Sequence, residues 1–398
     1  MRIGTWLPKA LFLLLFVLQG CTALPQRSPL PEEFYDEARV LGLAGLRYWG
    51  DEEFPVGRDL PEDPTRDQLQ AALPGIFGRE LRILAISGGG QDGAFAAGIL
   101  NGWTASGTRP QFNIVTGIST GALIAPLAYL GPGYDHVIER LYTEYSMSDL
   151  VEKRNWVQML RADARFDTRR LRELIAEIFD ESVMAAVAAE YRCGRLLFVG
   201  TTNLDAARSV TWDIGAIANS GHPRALDLIH DVLLASASIP VAFPPVLVNV
   251  EANGQYYDEL HVDGGVKRQS FIFDLASNDD TFDNLEIKGQ GRAYLIRNSR
   301  LRSQWAPVDR SVFAIGERSA QSMVRSQGVG DLYREYLGAL KYGMDFNLSY
   351  IPEDFGTAGQ ELEAREYMKA LYKLGFDMAM SGDFWLKVPP GLKPRSQR

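Results

Sequence analysis

Gly117-Ile118-Ser119-Thr120-Gly121 stands between an apolar run, Ile114-Val115-Thr116, and a helix-forming run from Ala122 to Leu130. A Gly-x-Ser-x-Gly string in that setting predicts a sharp strand-to-helix turn that holds a serine hydroxyl clear of its own backbone. Pro126 is expected to kink the helix, because a proline past the first turn removes a helical hydrogen bond. A second stretch, Asp263-Gly264-Gly265, closes a Tyr- and Val-rich run from Gln255 to Val262 that follows the hairpin signal Ala252-Asn253-Gly254. A third begins with the alternating strand Leu81 to Ile86, passes through Ser87-Gly88-Gly89-Gly90 and Gln91-Asp92-Gly93, and enters a small-residue helix from Ala94 to Leu100. Such a turn leaves backbone N–H groups unpaired at a helix N-terminus. They suit the negative oxygen of a tetrahedral acyl-transfer intermediate.

A serine hydroxyl is a weak nucleophile until a base takes its proton. The chain holds His136, His222, His230 and His261. The first and third sit in helical patterns and the second in a turn, so each reads more simply as structural. His261 lies two positions before Asp263, and strand alternation sends both side chains to one face without saying which one works. Asp263 is the more economical base: a carboxylate at a strand end, beside glycines that allow close backbone approach, gains basicity on desolvation. Taken alone, Asp-Gly-Gly also reads as a plain turn. Gly88 to Gly93 matches the dinucleotide fingerprint G-x-G-x-x-G, which asks for an acidic residue at the end of the next strand. That strand ends in Thr116-Gly117 and runs into the serine motif, so no nucleotide cofactor is expected, and no metal.

The order of these strings, with Ala235-Ser236-Ala237-Ser238-Ile239-Pro240-Val241-Ala242-Phe243-Pro244-Pro245 between the second and third helical regions, resembles the patatin-like phospholipase family from Leu81 to Phe273. The resemblance implies a three-layer α/β fold with a mostly parallel central sheet and helices on both faces. It implies a serine–aspartate dyad enzyme acting on lipid esters through an acyl-serine, with Ser119 as nucleophile and Asp263 as base. The amides of Gly88, Gly89 and Gly90 would form the oxyanion hole, and Gly93, Gly117, Gly121, Gly264 and Gly265 would be its motif glycines. One position departs from the family: Asp92 stands where a basic residue is usual. A carboxylate there would repel phosphate, or would cap the helix that begins near Gly93. Two rivals share the same strings, a catalytically silent lipoprotein that binds lipid or a partner, and an acyltransferase.

Arg2 and Lys9 flank an apolar run from Ala10 to Leu18, followed by Gln19-Gly20-Cys21. The run is too short to span a bilayer and matches a secretory leader. Leu18-Gln19-Gly20-Cys21 resembles the bacterial lipobox, in which the cysteine becomes the acylated first residue. The organisation expected is a signal peptide over 1–20, a lipidated tether over 21–75 with local structure whose Val40, Leu41, Leu43, Leu46, Tyr48 and Trp49 pack against the body, a catalytic core over 76–300 and a mainly helical part over 301–398 packed on the core. The location expected is the bacterial cell envelope. The net charge of −9 falls to −11 once Arg2 and Lys9 are removed, which argues against binding nucleic acid through the overall field. Cys193 would then be the only free thiol, leaving no internal disulfide.

Overall fold

The computed structural model describes residues 27–52, 64–154, 163–272, 284–303, 305–356 and 363–392. The leader, Cys21 and the basic C-terminal tail beyond 392 lie outside them. Ten strands form one sheet: β1 (Arg39–Val40), β2 (Arg47–Trp49), β3 (Arg82–Ile86), β4 (Ile114–Ile118), β5 (Leu196–Asn203), β6 (Arg208–Asp213), β7 (Val246–Ala252), β8 (Gln255–Asp263), β9 (Arg292–Arg297) and β10 (Asp345–Tyr350). The α/β class therefore stands, with a qualification on strand direction. The order β5-β4-β3-β9-β10 is parallel throughout. The remaining pairs, β5–β6, β5–β8, β8–β7, β7–β1 and β2–β6, are antiparallel. The parallel strands are continuous apolar runs because both their faces are covered. The antiparallel hairpin β7–β8 turns at Asn253 and Gly254, both at positive φ, as the Asn-Gly pair predicts.

One face of the sheet packs against helices α1 (Gly93–Ala105), α2 (Thr120–Leu130), α3 (Ala225–Ser236) and α5 (Ala364–Ser381). The other is covered by α4 (Val312–Lys341) and the short helix Arg66–Ala72. Helix α2 runs through Pro126 as one element. The region expected as a tether contributes sheet: β1 and β2 pair with β7 and β6, and Val40 and Leu46 are buried. Arg27 ties its start to Asp205 and Asp258, and Arg47 is paired with Glu259.

Register alone brings the two key strings together. β6 lies along one edge of β5 from Phe198 to Asn203. β4 takes the opposite edge and ends with Ile118 beside Gly200. β8 runs the other way along that same edge and ends with Asp263 beside Thr201. The C-terminal ends of β4 and β8 thus meet at adjacent residues of β5, and the chain leaves each by a turn.

The helix that carries the glycine loop is held by α5 through missing side chains. A Cβ on Gly98 would come within 2.0 Å of the Tyr372 carbonyl, one on Gly102 within 2.4 Å of the Phe376 carbonyl, and one on Gly375 within 2.4 Å of the Phe95 carbonyl. Met368, Leu371 and Ala379 are buried in the same contact, so the apolar stripe of α5 is core. Gly98→Val is expected to cost at least about 1–3 kcal/mol, since the obstruction is backbone that no rotamer relieves. Urea unfolding checks this, and a midpoint equal to the parent's contradicts the packing described.

Candidate active site

Ser119 follows β4 directly and holds φ 56°, ψ −125°. A non-glycine residue at positive φ is strained, and the surrounding contacts show what enforces it. A Cβ on Gly117 would lie 2.3 Å from the Gly121 carbonyl, and one on Gly121 2.1 Å from the Ile86 carbonyl. The two motif glycines therefore let the turn close on itself and press against β3. The elbow is pinned from a third side: the Ser119 N–H donates to Ser236 Oγ at 2.9 Å, and Ser236 Oγ donates to the Gly200 carbonyl at 2.7 Å.

Asp263 is the last residue of β8. Its carboxylate accepts the Gly265 N–H at 2.7 Å and has the Ser119 side chain near enough to favour its ionised form. Its backbone is fixed at both ends, with its N–H donating to the Ser238 carbonyl at 2.9 Å and its carbonyl accepting from Thr202 Oγ1 at 3.0 Å. Burial pushes the Asp263 carboxyl up to about 6 against the pull of Ser119 and of the Gly265 hydrogen bond. Close approach again needs glycine, because a Cβ on Gly264 would sit 2.5 Å from the Gly200 carbonyl and one on Gly265 2.9 Å from the Asp263 carboxylate.

The glycine loop arrives from β3. Gly88 is buried, and a Cβ there would meet Gln269 Oε1 at 2.9 Å and Ser119 Cβ at 3.2 Å, so the loop passes beside the serine. The Gly88 N–H donates to the Gln269 carbonyl at 3.1 Å. That corrects one expectation: with its proton spent on backbone, the Gly88 amide is no oxyanion donor. Gly89 is exposed and Gly90 partly so, and neither amide has a hydrogen-bond partner among the described residues. Gly93 lies at the start of α1, where a Cβ would meet Thr120 Oγ1 at 2.2 Å, so the N-termini of α1 and α2 converge.

None of the four histidines enters this arrangement. His261 is fully buried, with Nδ1 at 3.0 Å from Thr201 Oγ1 and Nε2 at 3.1 Å from Glu259 Oε2. Against the upward push of burial, Arg47 and His261 hold Glu259 down at about 2, so it accepts and His261 Nε2 carries the proton. Thr201 then donates to Nδ1 while it accepts the Trp212 indole N–H at 2.8 Å. His261 is a closed structural knot. His222 accepts the Arg224 N–H, the His230 ring meets the Phe179 carbonyl, and His136 is exposed on the helix Asp135–Thr143.

Asp92 makes no capping bond with α1. Its carboxylate instead accepts from the Tyr367 hydroxyl of α5 at 2.9 Å. Burial raises its proton affinity, with the Tyr367 bond, Arg300 and Arg325 opposing. Three further residues frame the loops. Asn298 is fully buried, donates to the Ser87 carbonyl and to Ser87 Oγ, and accepts the Ala96 N–H, one of the donors that the first turn of α1 leaves open. Gln269 joins the glycine loop to Gly265, whose carbonyl accepts from its side chain at 3.1 Å, and to Asp331 on α4. Ser236 and Ser238, at the end of α3, hold Ser119 and Asp263 respectively. Both serines stand in the Ala-Ser-Ala-Ser string, and Gln269 six positions beyond Asp263, whereas Asn298 carries no local signal. A cleft of about 880 Å³ lies elsewhere, between residues 35–52 and the β7–β8 hairpin, and neither Ser119 nor Asp263 lines it.

The site thus offers a hydroxyl beside a buried carboxylate of raised proton affinity and two open amides. Residues 84–276 match the family described as patatin-like phospholipase. No match is found among curated proteins. Among solved structures, the crystal structure of VipD from Legionella pneumophila aligns over 76% of this chain and 67% of its own, at 12% identity and a TM-score of 0.36.

Two outcomes are expected of the site as a structure. The fold favours the protonated Asp263 carboxyl, so its ionisation costs stability as pH rises through about 6 and costs nothing below the ordinary unfolded value near 4. Asp263→Asn should therefore stabilise by on the order of 1–3 kcal/mol at pH 8, with the gain vanishing towards pH 4. Denaturant melts of both proteins across that range test the sign. Ser236→Ala leaves the Ser119 N–H and the Gly200 carbonyl without a partner and should cost roughly 1–3 kcal/mol. An unchanged melt would mean that Ser236 holds nothing.

Proposed function

We propose that this chain, whose residues 84–276 match the patatin-like phospholipase family, is a lipid ester hydrolase that works with Ser119 and Asp263 alone as its dyad. The observation that carries the reading is the placement of a buried Asp263 of raised proton affinity against Ser119, at the adjacent ends of β8 and β4 on β5. In the first half-reaction Ser119 Oγ attacks the ester carbonyl carbon and its proton passes to Asp263. The developing oxyanion takes hydrogen bonds from the Gly89 and Gly90 amides, which are free to turn to it. As the tetrahedral centre collapses, the C–O bond to the alcohol breaks and Asp263 returns the proton to the leaving oxygen. Water then gives a proton to Asp263 and adds to the acyl-serine. Collapse releases the fatty acid and restores the Ser119 hydroxyl.

The strain at Ser119 supports the same reading, since an unfavourable backbone persists only where its surroundings over-determine it, and such positions cluster at reactive groups. His261 adds indirect support: with both ring nitrogens occupied, it has no free lone pair for Ser119. Acylation at Cys21 and a place at the bacterial envelope belong to the proposal on the strength of the leader and the Leu18–Cys21 string. Among the described residues no helix is long and apolar enough to cross a membrane. Cys21→Ser should stop metabolic fatty-acid labelling and make retention in the membrane fraction sensitive to salt; persisting fatty-acid labelling would refute the anchor.

A serine-directed fluorophosphonate should label the protein, and Ser119→Ala should abolish both labelling and ester turnover with the melt unchanged. Persisting turnover would remove Ser119 from the mechanism. Asp263→Asn should lower turnover by roughly 10²–10⁴-fold, the usual worth of a general base. The working base is the ionised carboxylate, so kcat/KM should fall about tenfold per pH unit below pH 6. A profile flat from pH 7 to pH 5 would instead exclude Asp263.

A further inference from the structure

Helix α4 carries its buried face and an exposed apolar face on opposite sides. Leu332, Tyr336 and Ala339 pack on the sheet. At 100° per residue, Val312, Ile315, Met323 and Leu337 fall within an arc of about 80° on the far side. All four are exposed, Val312 at 86% and Met323 at 67%. Trp305, on the segment leading into the helix, is 89% exposed. Solvated helix faces ordinarily carry charge or polar groups, so a stripe of this kind on one element marks an interaction surface.

The charge around the stripe identifies the partner. The chain as a whole carries −9, yet between residues 301 and 325 four arginines, Arg302, Arg310, Arg318 and Arg325, stand against Asp309 and Glu317. Arg302 and Arg310 are exposed beside Trp305 and Val312. Apolar side chains interleaved with arginine fit an anionic lipid surface, where the first enter the acyl boundary and the second meet the headgroups. A second copy of the chain fits less well, because a two-fold interface would set the same arginines against one another.

The opposite, buried face of the same helix meets the reaction site. A Cβ on Gly328 would lie 2.8 Å from Gln269 Cγ and 3.1 Å from the Arg297 guanidinium, so α4 forms a wall behind Gln269 and hence beside Gly88. One turn earlier, Arg325 donates to the Arg302 carbonyl at 2.6 Å, which fastens the arginine-bearing segment to the helix. Glu353 fixes the same segment by accepting the Leu301 and Arg302 N–H groups.

We propose that Trp305 and the Val312–Met323 face of α4 dock the protein on an anionic lipid surface. The proposal rests on the reading of the chain as a lipid ester hydrolase, but its test separates the two. Full chain carrying Cys21→Ser, which removes acylation, is mixed with phosphatidylcholine vesicles with and without phosphatidylglycerol, and partition is read by co-sedimentation. The expected result is binding that needs phosphatidylglycerol and weakens with salt. V312D/I315D should bind at least tenfold more weakly, and R302E/R310E should lose the preference for phosphatidylglycerol. Turnover of a soluble short-chain ester should stay at the parent's rate in both variants. The proposal is overturned if the parent does not bind, if V312D/I315D binds like the parent, or if soluble-ester turnover falls in step with binding. It is equally overturned if the parent is a dimer that V312D/I315D converts to monomer. Vesicle binding by a parent with no ester turnover would leave the docking face standing and refute the hydrolase reading.

Discussion

Everything at the site depends on one edge of β5. Gly200 and Thr201 are adjacent residues, and on that edge the first receives the end of a parallel strand and the second the end of an antiparallel one. The strands leave by tight turns, so their last side chains have nowhere to go but towards each other. Gly200 carries a further load: its carbonyl takes the Ser236 hydroxyl, and a side chain on Gly264 would strike it at 2.5 Å. A single backbone position therefore sets the separation between serine and carboxylate. The last turn of α3 then locks it, with Ser236 holding one partner and Ser238 the other.

Around this edge the protein separates two uses of buried charge. Glu259 and Asp263 lie four residues apart on β8, both nearly inaccessible. Glu259 has a guanidinium and an imidazole beside it and is held ionised at about 2. Asp263 has only neutral donors and is pushed to about 6. Burial acts on both, and the partner decides the outcome. An ion pair ties the N-terminal segment to the sheet in the first case. In the second, a carboxylate is left near the midpoint of its titration, which proton exchange with a hydroxyl requires.

Much of this was legible in the chain. The strand-turn-helix units around Gly88–Gly90 and Ser119 follow from hydrophobic period and glycine placement, and the hairpin before Asp263 from Asn253-Gly254. What was not legible depends on tertiary contact. Residues 39–49 show in sequence only that they pack on the body, because two- and three-residue strands leave no period and only pairing with β7 and β6 makes them sheet. The antiparallel junction of β8 with β5 is not legible, because the two strands join across more than fifty intervening residues and register across such a gap has no local trace. The Gly88 donor role and the capping reading of Asp92 fail for the same reason: a distant carbonyl on Gln269 captures the amide, and a tyrosine on α5 captures the carboxylate. Asn298 braces the loop from a position with no motif at all.

The meeting on β5 also has a kinetic meaning. Ser119 and Asp263 are 144 residues apart in sequence, and their contact closes the loops of β5, β6, α3 and the β7–β8 hairpin together. Contacts of such separation pay their entropy before they return any energy, so they form late. A nascent or partly unfolded chain then has its serine, its glycines and its helices, and still no paired carboxylate. The chemistry is thereby reserved for the finished molecule, and ester turnover becomes a report on whether the most distant parts of the chain have found one another.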